Sequence, residues 1–222
     1  MDFKAVIFDL DGTLLDTLED LADSMNCVLE RNRLPQHELA AYRYFVGDGI
    51  EMLVRRALPF AIADEEELNR FIREMKSEYA GRWTQKTRPY PGIPEVLDAF
   101  SAAGFEMAVL SNKPDEATRH IIQAFLPGVP FRLVIGATGG KPKKPNPTVA
   151  LEIADRLRIA PARFIYVGDT SIDMRTAVAA GMFPVGALWG FRRAEEMIAA
   201  GAELLASKPT SLLTWISRAA AS

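Results

Sequence analysis

Asp9 and Asp11 stand one residue apart in "KAVIFDLDGTLLDT" (residues 4–17), where an apolar run gives way to Gly12 and Thr13. Carboxylates so placed can act as a nucleophile and a general acid or base, or hold a hard cation through oxygen. Other candidates follow along the chain. Ser111 and Asn112 close the apolar run "FEMAVLSN", Lys144 lies in "GATGGKPKKPNP" (136–147), and Asp169 and Asp173 lie in "GDTSID" (168–173). Carboxylates gathered in one place repel one another unless a cation neutralises them, and their oxygens suit Mg²⁺. Magnesium shares its octahedron with waters and with substrate phosphate, so a phosphorylated substrate follows. Lys144 and the helix N-terminus after Asn112 would hold phosphoryl oxygens, and Gly12 would let the backbone approach them closely.

Each residue also has a plain structural reading. A single Asp can cap a loop end, and Ser111 can cap the helix after it while also binding phosphate. Lys144 competes with Lys141 and Lys143, but it alone directly precedes "PNP" and a helix. Gly47, Asp48 and Gly49, in "FVGDGI", read equally as a turn between helices and as a substrate loop. What favours chemistry is the convergence of the carboxylates, which depends on the elements that carry them.

Strand-like runs occur in "KAVIFDL" and at 105–111, 131–136, 163–169 and 183–190, with helical patterns near 93–103, 114–125, 147–158 and 170–180. The runs are continuously apolar, as strands covered on both faces are. Their alternation with helices predicts a parallel sheet with right-handed crossovers, and ligands bind such sheets outside the carboxyl ends of the strands. Every candidate above except the 47–49 loop falls at such an end. Residues 17–86 contain helical spacings instead, at Leu18, Leu21, Met25, Val28 and Leu29 and at Leu68, Phe71, Ile72, Met75 and Tyr79. Thr17 with Asp20 would cap the first of these helices. The fold expected is a Rossmann-like doubly wound α/β core (1–16 and 87–222) with a smaller all-helical domain (17–86) inserted after the first strand.

Composition narrows the setting. The chain has 222 residues, 25% of them charged, with a net charge of -3, which offers no basic field for nucleic acid or an anionic membrane. Its single cysteine, Cys27, suits a reducing, cytoplasmic compartment. No apolar stretch approaches the roughly 20 residues that span a bilayer.

"DLDGTL" resembles the D-x-D-G-T signature of the haloacid-dehalogenase-like hydrolases, a superfamily consisting mostly of phosphatases. Ser111, Lys144 and "GDTSID" follow in the order of that family's remaining motifs. The resemblance implies that Asp9 is the nucleophile, forming an aspartyl-phosphate, and that Asp11 is general acid and then base. It implies that the carboxylates of Asp9 and Asp169 and the backbone carbonyl of Asp11 hold Mg²⁺. Asp173 would ligate the metal directly or orient Lys144. Gly12, Thr13, Ser111, Asn112 and Lys144 would bind the phosphoryl group.

Dehalogenases of the superfamily lack the second Asp and its transport ATPases carry Thr there, so Asp11 indicates a phosphatase or phosphomutase. Related sugar phosphomutases have a His about a dozen residues after the nucleophile, where this chain has Leu21. The insert at 17–86 resembles a helical cap that closes over a small substrate. "FVGDGI" and "LSNKP" are most similar to the phosphoglycolate phosphatase branch. The expected substrate is therefore a small phosphorylated metabolite, 2-phosphoglycolate first, with a sugar phosphate, nucleotide or pyrophosphate behind it. A regulatory binding protein on the same fold would show a damaged first motif or no Asp169, and neither is seen. The chain could act as a monomer or homodimer.

Overall fold

The computed structural model describes residues 2–59 and 64–214. Strand β1 (Ala5–Phe8) is followed by β2 (Leu15–Asp16) and then by four helices, α1 (Leu18–Arg31), α2 (Leu39–Phe45), α3 (Ile50–Ala57) and α4 (Glu65–Ala80). After β3 (Arg88–Pro89) come α5 (Ile93–Ala102), β4 (Glu106–Pro114), α6 (Asp115–Phe125), β5 (Phe131–Ala137) and α7 (Thr148–Leu157). The chain continues through β6 (Phe164–Gly168), α8 (Ser171–Ala180), β7 (Phe183–Ala187), α9 (Ala194–Ala199) and β8 (Leu204–Ala206). Two compact units result: Asp16–Arg88, and the described residues up to Leu15 together with those from Pro89 onward.

The larger unit holds a six-stranded sheet in the order β5-β4-β1-β6-β7-β8, with every neighbouring pair parallel. This is the doubly wound order, and its direction reverses between β1 and β6. Helices cover both faces. Ala5 and Ile7 pack with Val149, Ala150 and Ile153 of α7 and Ala177 of α8, whereas Phe8 meets Phe100 of α5 edge-on at 5.7 Å. All four residues of β1 are therefore buried, which explains why the sequence shows no alternation there.

Register sets the site. Ala5–Phe8 align with Glu106–Val109 on one side and Phe164–Val167 on the other. The Asp9 amide donates to the Val167 carbonyl at 2.9 Å, so the ends of β1 and β6 lie level and Asp9 and Asp169 emerge together.

Three details differ from the sequence expectation. The run at 183–190 is strand only to Ala187, and Leu188–Gly190 instead turn toward the first motif. Helix α9 and edge strand β8 are too short to leave a period in the sequence. In the helical unit, Thr17 makes no capping hydrogen bond to α1. Asp20 is instead buried and accepts from the amides of Lys86 (3.0 Å) and Thr87 (2.8 Å) and from the Thr87 hydroxyl (2.8 Å). Those returning amides outcompete the local cap. The buried faces of α1 and α4 carry the apolar residues named above. No helix among the described residues is long and apolar enough to cross a membrane.

Candidate active site

Asp9, Asp169 and Asp173 offer carboxylate oxygens that all lie within 4.8 Å of one another, and all three residues are buried. One cation is inserted among them. The Lys144 ammonium lies 2.7 Å from Asp9 Oδ1 and 2.7 Å from Asp173 Oδ1. Burial opposes the charge on Lys144, but Asp173 and Asp9 outweigh it and hold the ammonium protonated well beyond the usual lysine range. Asp173 is fixed from behind. Its Oδ2 accepts from the Thr170 amide (3.1 Å) and hydroxyl (2.7 Å), closing a capping box at the start of α8.

The carboxylates have hydrogen-bond partners but little positive charge to balance them. Burial, followed by repulsion from Asp173, pushes the Asp9 carboxyl up to about 7 against the pull of Lys144. Burial, with Asp173 and Asp9 beside it, raises the Asp169 carboxyl well above its ordinary range. The hydrogen bonds resolved to Asp169 come from neutral donors, the Thr13 hydroxyl at 3.1 Å and the Phe191 amide at 2.8 Å. Crowded, buried carboxylates with so little positive compensation form the donor set that a hard divalent cation fits.

Asp11 is oriented differently. Its carboxylate lies outside the Asp9–Asp169–Asp173 cluster and pairs with Lys113, whose ammonium is 3.0 and 2.9 Å from its two oxygens. Any share Asp11 has in a metal site therefore falls to its backbone carbonyl. Lys113 is buried and was given no role by the sequence. It sits with Ser111 and Asn112 where β4 departs from regular pairing: four steps on β4, from Leu110 to Pro114, match two on β5, from Ile135 to Ala137. Such an irregularity re-aims side chains at a strand end. Ser111 Oγ accepts from the Lys113 amide at 3.2 Å. The Asn112 side chain binds the Lys144 backbone both ways, accepting from its amide at 2.9 Å and donating to its carbonyl at 3.2 Å. Its side chain thus ties the end of β4 to the Lys144 backbone.

The turn after β7 forms the wall behind the first motif. The Trp189 indole donates to the Thr13 carbonyl at 2.9 Å, and the Phe191 amide holds Asp169. Gly12 has φ +88°, and a Cβ there would lie 2.3 Å from Asp169 Oδ2 and 2.8 Å from the Phe191 ring. Glycine is needed at this position because Asp169 presses on it. Gly190 is equally constrained, since a Cβ would meet the Gly12 carbonyl at 2.4 Å. The Trp189–Phe191 turn carries no motif, and it bridges distant sequence: Trp189 bonds Thr13, 176 residues away, while Phe191 bonds Asp169, 22 residues away.

In the helical unit, Gly47, Asp48 and Gly49 join α2 to α3, and the Asp48 carboxylate is paired with Arg56 of α3. Arg56 also donates to the Phe45 carbonyl at 3.1 Å, which ties the loop to its own helices.

A parallel sheet that gathers three buried carboxylates and a lysine at the carboxyl ends of its strands has clear relatives. The sequence profile of the haloacid dehalogenase-like hydrolases matches residues 6–187, and the chain belongs to that family. Within it, the chain is a phosphoric monoester hydrolase. It is 32% identical over 200 residues to the phosphoglycolate phosphatase of Nitrosospira multiformis, covering 89% of this chain and 88% of that one. It is 30% identical over 213 residues to the phosphoglycolate phosphatase of Pseudomonas putida, covering 95% of this chain and 78% of that one. A solved structure from Lactobacillus delbrueckii subsp. bulgaricus superposes with a TM-score of 0.90 at 28% identity, covering 97% of this chain and 99% of that one.

Proposed function

We propose that this chain is a Mg²⁺-dependent phosphatase that hydrolyses 2-phosphoglycolate, or a closely similar small phosphomonoester, through an aspartyl-phosphate on Asp9. The observation that carries the reading is the Lys144 ammonium bridging Asp9 and Asp173 at 2.7 Å each, beside Asp169 in the same buried cluster. It places a fixed cation beside the proposed nucleophile, where the negative charge of a transferring phosphoryl group has to be met.

In this reading Asp9 attacks phosphorus in line, the bond to the ester oxygen breaks, and Asp11 gives that oxygen a proton. Asp11 then takes a proton from water as it attacks the aspartyl-phosphate, which releases phosphate and restores Asp9. Ser111 and Lys144 hold the phosphoryl oxygens, with the backbone of Gly12 and Thr13. Asp173 and Asn112 keep Lys144 in place. Mg²⁺, held by the carboxylates of Asp9 and Asp169 and the backbone carbonyl of Asp11, would supply positive charge to the phosphoryl oxygens. Both Asp173 oxygens have partners in Lys144 and Thr170, which favours orientation over direct ligation. The helical unit Asp16–Arg88 would serve as the cap.

The substrate assignment is supported by relatives named phosphoglycolate phosphatase at about 30% identity across nearly the whole chain. It is tested by kcat/KM across 2-phosphoglycolate, hexose phosphates, nucleotide monophosphates and pyrophosphate at saturating Mg²⁺. A hexose phosphate preferred 100-fold would remove the specific assignment. Full activity in chelator, with the protein metal-free by elemental analysis, would remove the metal.

A further inference from the structure

Lys113 has no task in the mechanism above, yet the fold is built to place it. Two extra residues on β4 carry it out of regular pairing, and Gly136 of β5 makes room for them. A Cβ on Gly136 would lie 2.6 Å from the Lys113 carbonyl and 2.5 Å from the Asp115 Cα. Lys113 is 7% exposed, and its ammonium spans both oxygens of Asp11. Burying an ammonium costs several kcal/mol unless the charge is used. Asp11, at the partly exposed rim, could be solvated without it.

We propose that Lys113 is the receptor for a carboxylate on the substrate, carried one carbon from the ester oxygen. This rests on the reading of Asp11 as the acid at that oxygen. In a phosphoglycolate the ester oxygen and the carboxylate are separated by a single methylene, so their oxygens lie on the order of 3 Å apart. That is also the spacing of two hydrogen-bonded heavy atoms. An acid at the ester oxygen and a cation on the carboxylate must then be immediate neighbours, as Asp11 and Lys113 are. While the ammonium spans both Asp11 oxygens, neither can turn to the ester oxygen. A substrate carboxylate takes over the ammonium and frees Asp11 to turn. A neutral leaving group offers the ammonium no opposite charge to compete with Asp11, and the pair stays closed. Selectivity therefore falls on kcat as well as on KM.

The test compares 2-phosphoglycolate with 2-hydroxyethyl phosphate, which has the same length and a neutral end, in wild type, Lys113→Gln and Lys113→Arg at saturating Mg²⁺. Wild type prefers the carboxylate. Lys113→Gln lowers the kcat/KM ratio of the two substrates by about 10- to 100-fold, the range for one charge-assisted hydrogen bond, and Lys113→Arg retains most of the preference. A Lys113→Gln ratio within threefold of wild type, in protein folded by circular dichroism, overturns the proposal and leaves the phosphatase reading intact. If wild type releases phosphate from neither compound, that reading fails separately. Calorimetric titration of wild type with glycolate and ethylene glycol then decides the role of Lys113, and does so equally if Lys113→Gln fails to fold. At least tenfold tighter binding of glycolate is expected, and equal binding overturns the proposal.

Discussion

Gly190→Ala probes the wall behind the acidic cluster with a single methyl group. The new Cβ would lie 2.4 Å from the Gly12 carbonyl and 2.3 Å from the Asp169 Cβ, whereas ordinary contacts begin near 3.4 Å. Relief therefore requires a shift of about 1 Å. Gly12 O is main chain in a turn held by the Gly12 amide bonded to Leu15 O at 2.8 Å, so Asp169 is the part that moves. Overpacking of this kind costs about 1–3 kcal/mol of stability. A displacement of that size at a catalytic carboxylate costs on the order of 10²-fold in rate. Steady-state kinetics across a Mg²⁺ titration, with a thermal melt alongside, should show kcat down by about 100-fold and the half-saturating Mg²⁺ raised. Wild-type kcat and metal dependence in a folded Gly190→Ala protein would refute the argument that this turn sets the position of Asp169.

Asp173→Asn keeps the shape but removes the charge that shares Lys144 with Asp9, so activity should fall about 10- to 100-fold in a steady-state assay while the protein still melts cooperatively. Trp189→Phe removes the indole donor to the Thr13 carbonyl, and chemical denaturation should show a loss of about 0.5–1.5 kcal/mol. In chelator, the raised Asp9 carboxyl means that the folded chain holds a proton the unfolded chain releases. Stability from this group is fully present below the ordinary value of 3.8 and is lost as the pH rises through about 7. Melting temperatures across that window should fall in chelator and fall less in Mg²⁺.

Strands buried on both faces write themselves as unbroken apolar runs, which is why β1, β4, β6 and β7 were legible, with the partly buried edge strand β5 legible from its own apolar run, and why Asp9, Ser111, Lys144, Asp169 and Asp173 could be assigned to the carboxyl ends of one sheet. Lys113 was not legible, because the sequence shows a strand ending at Ser111 and cannot show the irregular stretch that carries the next two residues onward. Its partner Asp11 is 102 residues away. Trp189 and Gly190 read as the end of a core strand because their run is apolar, and only the fold reveals that they face the first motif. Asp20 was misread as a cap for the converse reason. A local pattern was visible, and the amides of Lys86 and Thr87 that displaced it were not.

Hydrolysis through Asp9 implies a phosphoryl group covalently held by its carboxylate. Rapid acid quench of the enzyme turning over ³²P-labelled 2-phosphoglycolate with Mg²⁺, followed by proteolysis and mass spectrometry, tests it most directly. A covalent intermediate on Asp9 gives a hydroxylamine-labile label on the peptide containing Asp9, no label in Asp9→Asn, and no turnover in that variant. Phosphate release by Asp9→Asn at more than a trace of the wild-type rate, or label confined to another residue, would contradict it.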